Sequence, residues 1–329
     1  MILATSVPQR QAVDDGAVPP PEQIGADVWA VPMPMPGAQM NLRYTLTYLL
    51  RGTDGLIHVV DPGWDCDENA AKLTAAVDRL GGRVGSIIVT HLHPDHLAMA
   101  PRLRDQSGAP IVIHERELTA LEQLLEAEPV NPTDWGVPPD RVPELTALAQ
   151  SRSAYRPLEP DVLVRGSVDH IRLSDLDLEF LHTPGHTTGH ICLRLPRERL
   201  LLTGDHVLPA SYPGLGLGGR SMTNPIADYL ESLATLCAFD DHEVLPGHQY
   251  RFSGLADRIA TITAHHRRRT AEVHAVIETD PAASVYDTAA ALTWSRGWDG
   301  MRGFLLYSAL AQTAMHVDLI RPATLTDTH

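Results

Sequence analysis

The sequence predicts an α/β fold, and three observations carry that expectation. Short β-rich runs recur along most of the chain. Stretches with apolar residues at helical spacing alternate with them. Polar residues of the kinds that bind metals stand where five of the β-rich runs end, and strand ends are where α/β sheets build their sites.

Residues 1–24 hold "DDGAVPPPEQ" and little periodicity, and read as a loose leader. "DVWAVPMP", "RYTLTYLL" and "GLIHVVDPG" read as a meander of strands divided by Gly, Asn and Asp. "DENAAKLTAAVDRLGG" puts Leu73, Ala76, Val77 and Leu80 on one face and ends in a double glycine, as a helix with its C-cap does. "VGSIIVT" reads as a buried strand, "LAMAPRLRDQSGAP" as a helix stopped by Gly and Pro, and "IVIH" as a short strand. Prolines from Pro129 to Pro160 break up residues 126–160. That segment reads as an irregular, lid-like excursion with a short helix near 141–151, expected to cover the site or to be a plain surface insertion. Strands resume at "DVLVRG", "LDLEFLHT", "HICLRLP" and "RLLLTGDHVL". "PIADYLESLATLCAF" is a helix, and "EVLPGH" is a strand leading into a turn. A long helix is expected from Ala256 to about Glu278, with helical stretches near 283–294 and 300–316.

The chain has 329 residues, enough for one large domain with or without a small one. Its 43% hydrophobic and 20% charged residues fit a soluble globular protein. No apolar run approaches the roughly 20 residues that span a bilayer. Cys66, Cys192 and Cys237 are odd in number and far apart, so a reducing, cytoplasmic setting is expected. The net charge of -15 disfavours nucleic acid and anionic membranes as partners. Lys72 is the only lysine, and Arg267-Arg268-Arg269 reads as a solvated helix face.

"IIVTHLHPDHLA" places three histidines and an aspartate within six positions after a β-branched run. Four more strand ends offer Asp61 in "VVDPG", His182, His186 and His190 in "LHTPGHTTGH", Asp205 and His206 in "LLTGDH", and His248 in "VLPGHQ". Zinc takes imidazole nitrogen and carboxylate oxygen at about 2.0–2.2 Å. Two metal ions about 3.5–4 Å apart share a bridging water and need six or seven ligands. His91, His93, Asp95, His96, His186, Asp205 and His248 supply that set. Burying four such groups in one short loop without a cation would leave costly desolvated atoms.

These motifs, in this order over roughly residues 25–255, resemble the metallo-β-lactamase superfamily. The resemblance implies an αβ/βα sandwich with two metal ions at one edge. His91, His93 and His186 would bind the first ion; Asp95, His96 and His248 would bind the second. Asp205 would bridge them. The Asp and third His of "HLHPDH" look like the glyoxalase II, lactonase and RNase Z branches, and unlike most antibiotic-destroying β-lactamases. Asp61 is read as orienting a ligand histidine or as capping its own turn. His206 is expected to point away from the metals as the strand neighbour of Asp205, in an outer or packing role. His182 and His190 are expected to be structural. Residues 256–329 look like a small helical, winged-helix-like domain with "HVDLIRP" as its closing strand. That layout resembles the lactamase-beta-like branch, which includes mitochondrial endoribonucleases.

The function these readings support is a dinuclear metal-dependent hydrolase, with two zinc ions (iron or manganese fit the same donors). A metal-bridging hydroxide would attack a small ester-like substrate, a thioester or a lactone. Asp95 and Asp205 would be the catalytic carboxylates, with Tyr212 as a substrate contact or a loop packing residue. One alternative is an endoribonuclease or phosphodiesterase. Another is a non-catalytic, metal-stabilised binding protein. From Ala264 to His329 there are six arginines, no lysine and seven acidic residues, a poor balance for holding phosphates. The tail is expected to shape the site entrance or a homodimer contact instead.

Overall fold

The computed structural model describes residues 1–321 except 40–41, 127–129, 150–154, 172, 174–175, 219–220 and 296. The chain enters through strand β1 (Leu3–Ala4) and helix α1 (Val7–Asp15). Strands β2 (Glu22–Gln23), β3 (Val28–Gln39), β4 (Leu42–Arg51) and β5 (Leu56–Val60) form an antiparallel meander. Helix α2 (Asp67–Arg79), strand β6 (Arg83–Ile88), the short helices α3 (Pro94–Leu97) and α4 (Ala100–Ser107), and strand β7 (Ile111–His114) follow. Helices α5 (Glu115–Glu126) and α6 (Val142–Ala149) lead to strand β8 (Val162–Val164). The first sheet runs β2-β3-β4-β5-β6-β7-β8, parallel from β5 onward.

The second sheet is built from β9 (Val168–Asp169), β10 (Glu179–His182), β11 (Ile191–Leu195) and β12 (Leu200–Gly204). Helix α7 (Pro225–Leu236) crosses to β13 (Glu243–Pro246), and β14 (Phe252–Ser253) is bordered by β1. Its order is β1-β14-β13-β12-β11-β10-β9, with β12 and β13 parallel. Helices α8 (Leu255–Thr279), α9 (Val285–Ala291) and α10 (Gly303–Ile320) complete the described chain.

Side-chain alternation along the strands sorts the layers. Val28 and Ala30 of β3 and Tyr44, Leu46, Tyr48 and Leu50 of β4 face Phe180, Leu193 and Leu202 of the other sheet. Val31 and Met33 face outward onto Leu73 and Val77 of α2 and Leu103 of α4. Behind the second sheet, Leu201 and Val244 meet Tyr229 and Leu233 of α7 and Ile259 and Ile262 of α8. Two sheets face each other and each is covered by helices, which is the αβ/βα sandwich expected. Each fully buried apolar side chain is worth roughly 1.5–3 kcal/mol here.

Residues 1–24 are not a loose leader. Ser6 caps α1 by accepting from Gln9 N at 3.2 Å, and Gly16 ends the helix in the left-handed region at φ 62°. Thr5 N donates to Arg251 O, and the Gln9 side chain accepts from Arg251 N, both at 3.0 Å. The buried Arg251 guanidinium pairs with Glu22 at 2.8 Å and also with Glu243. This segment is ordered by polar ties to distant chain, which leave no periodic signal in its own sequence.

The tail also departs from expectation. Residues His316–Ile320, read as a closing strand, are the last turns of α10, and Pro322 lies outside the described residues. Among the described residues no strand follows β14, so the helical tail lacks the hairpin of a winged helix. Residues 126–160 do not stand apart from it. Val137 and Leu145 form one small core with Ala289, Leu306 and Leu310 of α9 and α10.

Arg251→Ala leaves the carboxylates of Glu22 and Glu243 without a cation, with only Ser6, Gln9 and Thr5 donating to them. We expect it to cost about 3 kcal/mol in urea unfolding. A loss under about 1 kcal/mol, typical of an exposed pair, would show that this guanidinium does not hold the N-terminal segment in place.

Candidate metal centre

The site forms where parallel strands end together. Asp61 follows β5, His91 to His96 follow β6, Asp205 follows β12 and His248 follows β13. The loop between β10 and β11 brings in His186. Gly247 lets these ends close up: a Cβ there would lie 2.6 Å from Asp205 Oδ1 and 2.8 Å from His96 Cε1.

The seven residues singled out in the sequence fall into two adjoining groups. One joins His91, His93, His186 and Asp205; the other joins Asp95, His96 and His248. In the first, His91 Nε2 is 3.0 Å from His93 Nδ1, and His186 Nε2 is 3.3 Å and 3.1 Å from those two atoms. In the second, His96 Nε2 is 3.3 Å from His248 Nε2 and 3.5 Å from Asp95 Oδ2, and His248 Nε2 is 3.2 Å from Asp95 Oδ2. Asp205 touches both groups. Its Oδ2 is 3.8 Å from His186 Nε2 and 3.4 Å from His248 Nε2, and its Oδ1 is 3.5 Å from His96 Nε2.

The outer nitrogen of each ring is occupied. His96 Nδ1 donates to Asp61 Oδ2 at 2.8 Å, His248 Nδ1 to Tyr44 O at 2.7 Å, His186 Nδ1 to Gly214 O at 2.6 Å and His93 Nε2 to Leu217 O at 3.1 Å. The Thr90 hydroxyl donates to Asp61 Oδ2, so it must accept from His91 Nδ1 at 3.0 Å. These partners assign the ring protons to the outer atoms. Burial and the neighbouring imidazoles keep His91 and His186 neutral, with His186 down at about 3; burial also lowers His93, against the pull of Asp95 and Asp205. Three inner lone pairs of the first group therefore face one another with no proton between them.

In the second group burial also opposes charge. The carboxylates of Asp95, Asp205 and Asp61 outweigh it at His96, which is raised to about 9. Asp205 and Asp95 do the same at His248. Burial would raise the Asp95 and Asp205 carboxyls, but His96 and His248 hold both well below the usual carboxylate range. The two carboxylates draw positive charge into the site, which protons or a metal ion can supply.

The residues fit a metal. Tetrahedral donors about 2.1 Å from an ion stand about 3.4 Å apart, close to the nitrogen separations found. Asp205 Oδ1 is buried and makes no hydrogen bond. Asp61, at φ 52°, adopts a left-handed conformation that aspartate tolerates. Besides His96, its carboxylate accepts from Thr90 N at 2.8 Å. It braces the ring rather than only its own turn.

Other expected residues lie differently. His206 sits in a turn beyond β12, so strand alternation does not govern it. Its ring packs 4.6 Å from Tyr229, and neither ring nitrogen makes a hydrogen bond. It does not orient a ligand. His190 braces its loop through Thr183 at 2.9 Å, and His182 stacks on His114 at 4.2 Å. Tyr212 stacks on His265 of α8 at 3.9 Å with the Arg258 guanidinium 5.1 Å from its ring, so it packs its loop against that helix. Thr90, Tyr44, Gly214 and Leu217 went unread. Three of them act through backbone carbonyls, which no side-chain motif reports.

A family model described as the metallo-beta-lactamase superfamily matches residues 40–248, a span that includes both groups. The chain belongs to this superfamily. It is similar to the acyl-coenzyme A thioesterase MBLAC2 of Gallus gallus, 28% identical over 239 residues, covering 69% of this chain and 78% of that protein. A hydroxyacylglutathione hydrolase of Rhizobium etli is 28% identical over 229 residues, covering 67% and 72%. A beta-lactamase domain protein from Burkholderia ambifaria shares the fold, with a TM-score of 0.77, 24% identity and coverage of 97% and 92%. A metallo-beta-lactamase family protein from Thermus thermophilus has a TM-score of 0.72, 24% identity and coverage of 91% and 95%. The chain is a hydrolase of this superfamily. No helix among the described residues is long and apolar enough to cross a membrane.

Asp61→Ala removes the acceptor that fixes His96 and the anchor of Thr90. Metal affinity, measured by competition with a chromogenic chelator, should fall about 10–100-fold. Affinity equal to that of the native chain would reduce Asp61 to a turn residue.

Proposed function

We propose that this hydrolase works with two metal ions, zinc foremost, and cleaves small acyl compounds of the thioester or lactone class. The observation that carries the reading is the sharing of Asp205 between two adjoining donor groups. His91, His93 and His186 would hold one ion, and Asp95, His96 and His248 the other. When bound, the ions supply a water of lowered pKa and a Lewis acid for the acyl carbonyl.

The chain's own residues supply the rest. The carbonyls of Tyr44, Gly214 and Leu217, with Asp61 and Thr90, fix the five rings before substrate arrives. Asp95 is the more exposed of the two carboxylates, with its Oδ2 3.4 Å from Thr45 Oγ1. It orients the attacking water. The 126–160 excursion borders this side. Leu158, with the half-buried Tyr155, packs in the same apolar core as Leu92 and Leu97, which lie within and beside the ligand-bearing loop. That placement supports a part for the excursion in choosing the substrate.

Two of the similar proteins are named for acyl hydrolysis, which supports the substrate class. The net charge of -15 and a tail whose six arginines are offset by seven acidic residues speak against RNA. A cytoplasmic setting accords with the three free cysteines.

Elemental analysis of protein purified without chelator should give two metal ions per chain. Folded protein with almost none would end the proposal. The zinc-loaded protein should hydrolyse an acyl-CoA, a glutathione thioester or a lactone faster than a chromogenic β-lactam or single-stranded RNA; cleavage of RNA alone would replace this reading with the nuclease.

Asp205→Asn puts a neutral amide between the two groups. We expect kcat to fall more than about 100-fold with the fold retained by circular dichroism. Native activity and metal content in this variant would show that Asp205 is not shared.

A further inference from the structure

Among the described residues the buried carboxylates are Asp61, Asp205 and Glu117. The first two belong to the centre. Glu117, in the first turn of α5, has no part in the chemistry above. Its Oε2 accepts from Leu92 N at 2.8 Å, and its Oε1 accepts from Gly189 N at 2.7 Å. Leu92 stands between His91 and His93. Gly189 lies in the β10–β11 loop that carries His186. A single carboxylate thus ties together the two loops that deliver all three histidines of the first group.

The fit is close. A Cβ on Gly189 would lie 2.3 Å from Glu117 N and 2.8 Å from Arg116 C, so the loop rests directly on the helix backbone. Asp95, His96 and His248 are held instead by Asp61, Thr45 and Tyr44. Neither bond of Glu117 meets the residues that pin Asp95, His96 and His248; both fall on the segments that carry the first group's histidines.

We infer that Glu117 is a positioning residue for the first metal group, clamping the His91–His93 loop to the His186 loop so that their inner nitrogens converge. The inference rests on the two-metal proposal. Glu117→Gln keeps one acceptor oxygen but turns an NH2 group toward a backbone N–H, so one of the two ties is lost.

The experiment is a cobalt(II) titration of full-length, chelator-treated protein, followed by visible absorption and chelator competition. Glu117→Gln should lose about 10–100-fold in affinity for one of two equivalents, with an altered visible spectrum for that equivalent and no change at the other. The weakened equivalent should be the one lost in His186→Ala. Native affinity for both equivalents, or equal weakening of both, would overturn the inference. Should Glu117→Gln fail to fold, Glu117→Asp, which keeps the charge but withdraws it by one methylene, is judged by the same criteria. If neither folds, Glu117 is a scaffold residue and the inference fails. Fewer than two equivalents in the native chain would end the two-metal proposal and this inference with it, before any variant is compared.

Discussion

Five imidazoles and two carboxylates meet at one edge of this sandwich with their donor atoms turned inward. Three of the rings are neutral, and their facing nitrogens have no proton to share. Such a grouping is repulsive in itself and opposes folding locally. It persists because the surroundings over-determine it. Every ring is pinned from behind, and every pinning group belongs to a strand end or to a loop packed against one. The sandwich supplies the rigidity, and the ring set supplies the demand for positive charge.

The layered architecture explains how the pinning is achieved. β5, β6 and β12, β13 are parallel pairs in two different sheets, and all four end at the same edge. A mixed sheet alone would offer ligands from one side. Two facing sheets offer them from opposite sides, so Asp205 from one sheet reaches His96 from the other at 3.5 Å. The loop after β12 adds a further layer. Gly214 and Leu217 bond His186 and His93, and Met315 of α10 packs against Gly216, where a Cβ would lie 2.3 Å from its Cε. The tail therefore bears on the centre through packing, without contributing a ligand-type residue to it.

Much of this was legible in the sequence because its signals are local. "HLHPDH" packs four donors into six positions, and the Gly and Pro beside His186, Asp205 and His248 mark tight turns at strand ends. The sandwich itself followed from resemblance, since β-rich runs do not state how sheets stack. What stayed hidden depends on distant partners. α1 has buried Gln9 and Ala12 but no apolar stripe, and its place is set by Arg251 and Glu22. Glu117 looks like one more charge at the start of an acidic helix, and only the fold buries it. "HVDLI" has strand-like composition, yet burial of Leu306, Leu310, Thr313 and His316 at three- and four-residue spacing carries α10 through it. Tertiary packing overrode local preference there.

The pairing of β1 with β14 has a consequence for how the chain comes into being. Leu3 and Ala4 emerge from the ribosome before the metal-ligand segments, and their partners Ser253 and Phe252 emerge only after them and after every other strand. The same is true of the core that joins Val137 and Leu145 to Leu306 and Leu310. Closing contacts so far apart along the chain costs loop entropy and slows folding. A ribosome stalled before residue 250 would leave an unpaired sheet edge and an apolar excursion in solvent together. β1 is among the last strands to find its neighbour, although it is made well before it.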